Sequence, residues 1–147
     1  MNPVPAAYAE FGQTLAFTER TLSAVLRSHL AERDVEPATW YALKLIATRG
    51  PHADRASIVS DLEGSRGLDA ASTRALLARL ATDGLIAGED AVDLTEEGVT
   101  LFESLRDYVL GATAELLGEF DQRDIETTVR TLKAITRRSE ERAESAA

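Results

Sequence analysis

The chain has 147 residues and no cysteine, which excludes disulfides, thiolate metal sites and cysteine-based redox sensing. Apolar residues at 44% and charged residues at 28% are the balance of a soluble globular protein, and the length suits one domain with a real core. The net charge of −9 runs against nucleic-acid binding in bulk, but it is unevenly spread: residues 54–82 hold four acids and four bases, while residues 83–97 hold six acids and no base.

Met1 to Glu10 has no basic residue and no long apolar run, so it does not read as a secretory signal. No apolar stretch reaches the length of a membrane span, and a cytoplasmic location without a membrane partner is expected. From about Pro5 to Glu32, Phe11, Leu15, Leu22, Val25, Leu26 and His29 recur at helical steps. Asp34-Val35-Glu36-Pro37 breaks that pattern. A second helix starts near Pro37, carries Trp40, Leu43, Leu45 and Ile46, and stops at Gly50-Pro51.

A short helix is predicted from about Asp54 to Leu62, then a glycine-rich turn, Glu63-Gly64-Ser65-Arg66-Gly67. Asp69 is placed to cap the next helix, which buries Leu76, Leu77 and Leu80 and ends at Asp83-Gly84. Leu85-Ile86-Ala87 and Ala91-Val92-Asp93-Leu94, joined by Gly88-Glu89-Asp90, read as a β-hairpin. Thr95-Glu96-Glu97 opens a helix with the apolar face Leu101, Phe102, Leu105, Tyr108, Val109, Ala112 and Leu116. Asp121 precedes a last helix with the stripe Ile125, Val129, Leu132 and Ile135, and residues 139–147 read as frayed.

A short helix, a turn and a second helix form a helix-turn-helix, and the hairpin behind them is a wing. One helix of such a unit fits the major groove while the other holds its angle. The expected fold is therefore mainly α with a small β-wing: a single domain over 1–147, with a winged helix-turn-helix lobe at 36–98 and long dimerisation helices at 5–35 and 99–145.

Three ordered segments carry a resemblance. They are Ala38-Thr39-Trp40-Tyr41-Ala42-Leu43, then Ser72 to Leu80 followed by Asp83-Gly84-Leu85-Ile86, then Val92-Asp93-Leu94-Thr95-Glu96-Glu97-Gly98. Together they resemble the multiple antibiotic resistance regulator (MarR) family over nearly the whole chain. The resemblance implies a transcriptional regulator, most often a repressor, that binds pseudo-palindromic double-stranded DNA as a homodimer. It also implies release by small aromatic or anionic ligands. Two departures stand out. The turn Glu63 to Leu68 is longer than the family norm, and the wing is short and acidic, with nothing in 83–97 to replace the family's wing-tip arginine.

The DNA-contact candidates are Arg66, Ser72, Thr73, Arg74, Ala75 and Arg79, with Arg55 as an outlier. Arginine binds guanine or phosphate, and serine binds phosphate. Each could equally be an ordinary solvated residue, and Thr73 could simply pack. For a ligand pocket of the kind the resemblance implies, Phe17, Arg20, His29, Trp40, Tyr41 and Tyr108 are candidates, against the alternative that the aromatics are core.

Catalysis finds no support. Gly64-Ser65-Arg66-Gly67 does not complete a nucleophile elbow, no phosphate-binding loop is present, and His29 and His52 stand far apart. The Asp61-x-Glu63-x-Ser65 run lacks the glycine and the closing acid of a calcium loop. Neither metal nor cofactor is expected. The rival to DNA binding is a winged-helix dimer that acts as an interaction or ligand-sensing module through its acidic surface.

Overall fold

The computed structural model describes residues 2–146, apart from the side chain of Ser65. In chain order the elements are α1 (Ala6–Ala31), α2 (Pro37–Arg49), β1 (Ala53–Asp54), α3 (Arg55–Ser65), α4 (Ala70–Thr82), β2 (Ile86–Ala87), β3 (Ala91–Leu94), α5 (Glu96–Leu117) and α6 (Gln122–Ala146). The chain forms two compact units, residues 1–109 and residues 110–147. No helix is long and apolar enough to cross a membrane.

Local chemistry sets the ends of these helices. Pro37 opens α2, where its missing N–H has no helical partner to lose. The Gly50 N–H donates to the Ile46 carbonyl at 2.9 Å and closes that helix. The Asp54 carboxylate accepts the Ser57 N–H at 3.0 Å and caps α3.

The first unit is built on α2, α3 and α4. Leu43, Ile46, Ile58, Leu62, Leu77 and Leu80 are almost wholly buried among them, with Leu30 of α1 and Leu105 of α5. Each such side chain contributes about 1.5–3 kcal/mol on removal from water. Trp40 stacks on Phe102 with ring centroids 5.7 Å apart, tying α2 to α5.

β3 is the middle strand of a three-stranded antiparallel sheet in the order β1-β3-β2. Ala53 pairs with Val92 and Asp54 with Ala91 on one side; Ile86 pairs with Leu94 and Ala87 with Asp93 on the other. Gly88, with φ of 106°, makes the hairpin turn, and a Cβ there would lie 1.9 Å from the Ala91 carbonyl oxygen.

The leucine-threonine-x-x-glycine run joins the sheet to α5. The Thr95 hydroxyl donates to the Gly84 carbonyl at 2.5 Å and accepts the Gly98 N–H at 3.0 Å. The Thr95 N–H in turn donates to the Leu85 carbonyl at 3.0 Å. Gly98 is buried against that same carbonyl, and a Cβ on it would stand 2.0 Å from the Leu85 oxygen. Threonine caps the helix and glycine lets its first turn touch the strand.

Several sequence expectations need correction. β1 was not foreseen, because two residues carry no periodicity; its pairing to β3 is tertiary. The glycine-rich turn is shorter than expected, since α3 runs through Gly64 to Ser65 and leaves 66–69 as the connection, with Gly67 at φ of 66°. The tail expected to fray continues α6 to Ala146. On α1 it is Leu30, not the Phe11-to-His29 stripe, that is buried; Phe11, Leu15, Leu22 and Val25 are each more than 40% exposed.

Within residues 110–147, Leu110, Leu116, Phe120, Val129 and Ile135 are exposed, and no residue of α6 is buried. The apolar stripes expected on α1 and α6 are present but uncovered in the single chain.

Candidate nucleic-acid interface

α4 is held from below and open above. Leu76, Leu77 and Leu80 anchor it in the core, while Ser72, Arg74, Ala75 and Arg79 are exposed. Asp69 caps its first turn, accepting the Ser72 N–H at 2.7 Å. That bond, with help from the Ser72 hydroxyl, holds the Asp69 carboxyl below its ordinary value.

A depressed carboxyl stabilises the folded state only while ionised. The contribution is full above the unfolded value near 3.8 and disappears as the pH falls through the lower folded value. Asp69→Ala is therefore expected to lower the melting temperature at pH 7. The gap to the parent should narrow in acid, because the parent then loses the same cap. A gap of constant size across the pH range would show that Asp69 acts without its charge.

Thr73, taken from the sequence as a DNA-contact candidate, is fully buried. Its hydroxyl donates to the Asp69 carbonyl at 2.9 Å. It packs α4 onto the lobe and presents nothing to a duplex. Thr73→Val should cost about 0.5–1.5 kcal/mol in denaturant unfolding by removing that hydrogen bond, the Asp69 carbonyl keeping the backbone N–H of residue 73 at 3.0 Å, with nucleic-acid affinity per folded molecule unchanged.

The remaining cations have different surroundings. Arg74 is exposed on the outer face of α4, with Nε 3.4 Å from the Ala70 carbonyl of its own helix. Arg79 stands 3.3 Å from Glu36 of the α1–α2 connection, both side chains at least half exposed. Arg66, at the C-terminal end of α3, lays its guanidinium 3.6 Å from the centre of the Tyr41 ring.

Arg55 reaches the hairpin. Its Nε donates to the Glu89 carbonyl at 2.5 Å and its Nη2 to the Gly88 carbonyl at 3.2 Å. The Asp90 carbonyl accepts the Arg55 N–H at 2.9 Å. The linear sequence leaves the wing without a base; the fold brings one to it from α3.

The six ligand candidates do not converge. Trp40 is core. Phe17 and Arg20 are exposed on α1. His29 meets Tyr108 edge-on at 5.9 Å, the Arg33 guanidinium lies 4.1 Å from the same ring centre, and the Tyr108 hydroxyl donates to Glu32. That bond raises the Tyr108 hydroxyl above its usual value, because the carboxylate holds the proton on the ring oxygen.

Tyr41 lines a cleft, together with Ser23, Arg27, Pro37, Ala38, Arg66 and Leu68. Ser23 and Arg27 escaped the sequence reading. Their signal was available, since Arg20, Ser23 and Arg27 fall at three- and four-residue steps on one helix face. Glu36, the partner of Arg79, was also missed, because that pair spans forty-three residues.

No protein-family profile matches the chain, and neither does any curated protein. Solved structures do. A MarR family protein from Bacillus stearothermophilus superposes with a TM-score of 0.74 at 21% identity, over 95% of this chain and 99% of that one. The chain has the MarR-type winged-helix fold.

A second MarR-fold structure, CouR from Rhodococcus jostii RHA1 bound to p-coumaroyl-CoA, matches with a TM-score of 0.70 at 17% identity, over 90% of this chain and 95% of that one. A MarR family protein from Mycobacterium tuberculosis in complex with DNA matches with a TM-score of 0.67 at 16% identity, over 90% and 98%. In this fold α3 and α4 are the helix-turn-helix and β2 and β3 the wing, as the element order implied.

Proposed function

We propose that the chain is a MarR-family transcriptional regulator that binds double-stranded DNA as a homodimer in the cytoplasm. The observation that carries this reading is the division of α4 into a buried leucine face and an outer face bearing Ser72, Arg74, Ala75 and Arg79. A solved MarR-fold neighbour is itself bound to DNA. Binding rather than catalysis is the chemistry such a face offers.

In this reading the two α4 helices of a symmetric pair enter successive major grooves about one turn of DNA apart. Arg74 and Arg79 reach bases or phosphates, Arg66 stands at the approach to the helix, and Arg55 gives the acidic wing a positive charge. The apolar residues left exposed on α1 and α6 are covered by the second copy. The regulator acts as a repressor, and a small aromatic or anionic ligand releases it by favouring a spacing of the two α4 helices that no longer fits DNA.

The test is selection of bound sequences from a random duplex pool. Enrichment of a two-fold symmetric site supports the reading; no enrichment at low salt overturns it. Glu36→Gln frees Arg79 from its ion pair and is expected to tighten operator binding about threefold, with the larger gain at low salt. Electrophoretic mobility shift at two salt concentrations measures this.

A second reading is favoured by the wing. Glu89 and Asp90 are exposed at its tip and repel phosphate. A winged dimer using this acidic surface to meet a protein partner or to sense a ligand would show no salt-dependent DNA binding at all.

A further inference from the structure

The turn between β2 and β3 is short, Gly88-Glu89-Asp90, and it is pinned. Arg55, half-buried at the start of α3, donates its Nε to the Glu89 carbonyl, its Nη2 to the Gly88 carbonyl and its N–H to the Asp90 carbonyl. Successive carbonyls of the turn are thereby held against α3, and one edge of the guanidinium fork is committed to main chain. The Glu89 and Asp90 side chains gain nothing from it. Both are exposed, and among the described residues neither is in an ion pair. Residues 83–97 hold no base to offset them.

These carboxylates cannot lie far from DNA carried on α4. Glu89 follows Thr82, the last residue of α4, by at most about 25 Å of extended chain. One turn of a duplex spans about 34 Å, so its flanking backbone passes the hairpin. That backbone carries a negative charge for about every 1.7 Å of axis. Because the tip is clasped to α3, the two carboxylates stay where the fold puts them.

We propose that the wing tip is a repulsive element: Glu89 and Asp90, positioned by Arg55, lower affinity for every duplex and read no base. Base recognition is then confined to α4 and its approach. The assignment rests on the DNA-binding reading above and deepens it by separating the part that selects sequence from the part that limits affinity.

The test compares the full chain with Glu89→Gln/Asp90→Asn by fluorescence anisotropy, on a random-sequence duplex of about 30 base pairs and on the site enriched by selection. The variant is expected to bind both duplexes about tenfold tighter at about 50 mM salt, with the gain shrinking towards twofold at about 300 mM as the repulsion is screened. Selection with the variant should enrich the same site. Glu140→Gln/Glu144→Gln on α6 makes the same change in net charge and should leave affinity within about twofold. Adding Arg55→Gln to the neutral-tip variant should leave the salt slope unchanged; a slope reduced by about one or two would make Arg55 a phosphate contact and overturn its positioning role. Without DNA, Arg55→Gln should speed amide exchange in the hairpin, and Arg55→Lys should not restore protection, because lysine keeps the charge but lacks the fork. Thermal melts confirm that the variants fold. If the parent selects a site and the neutral-tip variant binds no tighter, or selects a different site, the proposal falls and the DNA reading stands. If neither chain binds any duplex at low salt, both fall.

Discussion

Replacing Arg74 and Arg79 together with alanine is expected to weaken operator binding by about 100-fold or more while leaving the fold intact. Both side chains lie on the outer face of α4 and take no part in its core, so in the proposed reading their loss removes contacts to DNA and, at Arg79, one exposed ion pair with Glu36. A good arginine contact to a base discriminates by about 1–3 kcal/mol, and a two-fold dimer loses each contact twice. If all four contacts are to phosphate, the slope of log affinity against log salt should fall by about three to four. Fluorescence anisotropy over a salt series separates the two cases. Base contacts change sequence preference with little change in slope, and phosphate contacts change slope with little change in preference. Unchanged affinity and slope in the double variant would remove α4 from the interface.

Gly98→Ala is expected to destabilise the fold by about 3 kcal/mol. The added carbon would stand 2.0 Å from the Leu85 carbonyl oxygen, and that carbonyl also accepts the Thr95 N–H. The obstacle is backbone, so no side chain can turn aside; β2 or the first turn of α5 must move. A drop in melting temperature of about 6–12 °C follows for a chain of this size. Gly64→Ala is the matched control. A Cβ there meets nothing within 4 Å, and alanine in a helix should raise stability by up to about 1 kcal/mol. Equal melting temperatures for the parent and Gly98→Ala would show that α5 and the sheet are not held by this contact.

These two experiments probe the parts of the molecule that were most and least legible in advance. Helices α1, α2, α4, α5 and α6 follow from apolar spacing, because a helix repeats its face every three or four residues and the repeat is local. Their caps are local too: Asp69 and Thr95 act on N–H groups three residues away. The hairpin was visible because Gly88-Glu89-Asp90 separates two short apolar runs.

The site was only half legible. Sequence placed arginines near α4, but not their partners. Glu36 beside Arg79, Arg55 at the carbonyls of the wing and Arg66 over Tyr41 all join residues far apart in the chain. Thr73 shows the reverse error. It sits between exposed neighbours in sequence, and only the packing of α4 against the lobe turns it inward.

Taken by itself, the sequence determined which segments are helical, where they are capped, and the order helix, turn, helix, hairpin that names the fold. Tertiary structure alone decided the third strand, the charge carried by the wing, and which distant partners Arg55, Arg66 and Arg79 meet. The reason is range. Periodicity and capping act over four residues or fewer, whereas ion pairs, strand pairing and ring stacking depend on which distant side chains the closed core brings within a few ångströms of one another.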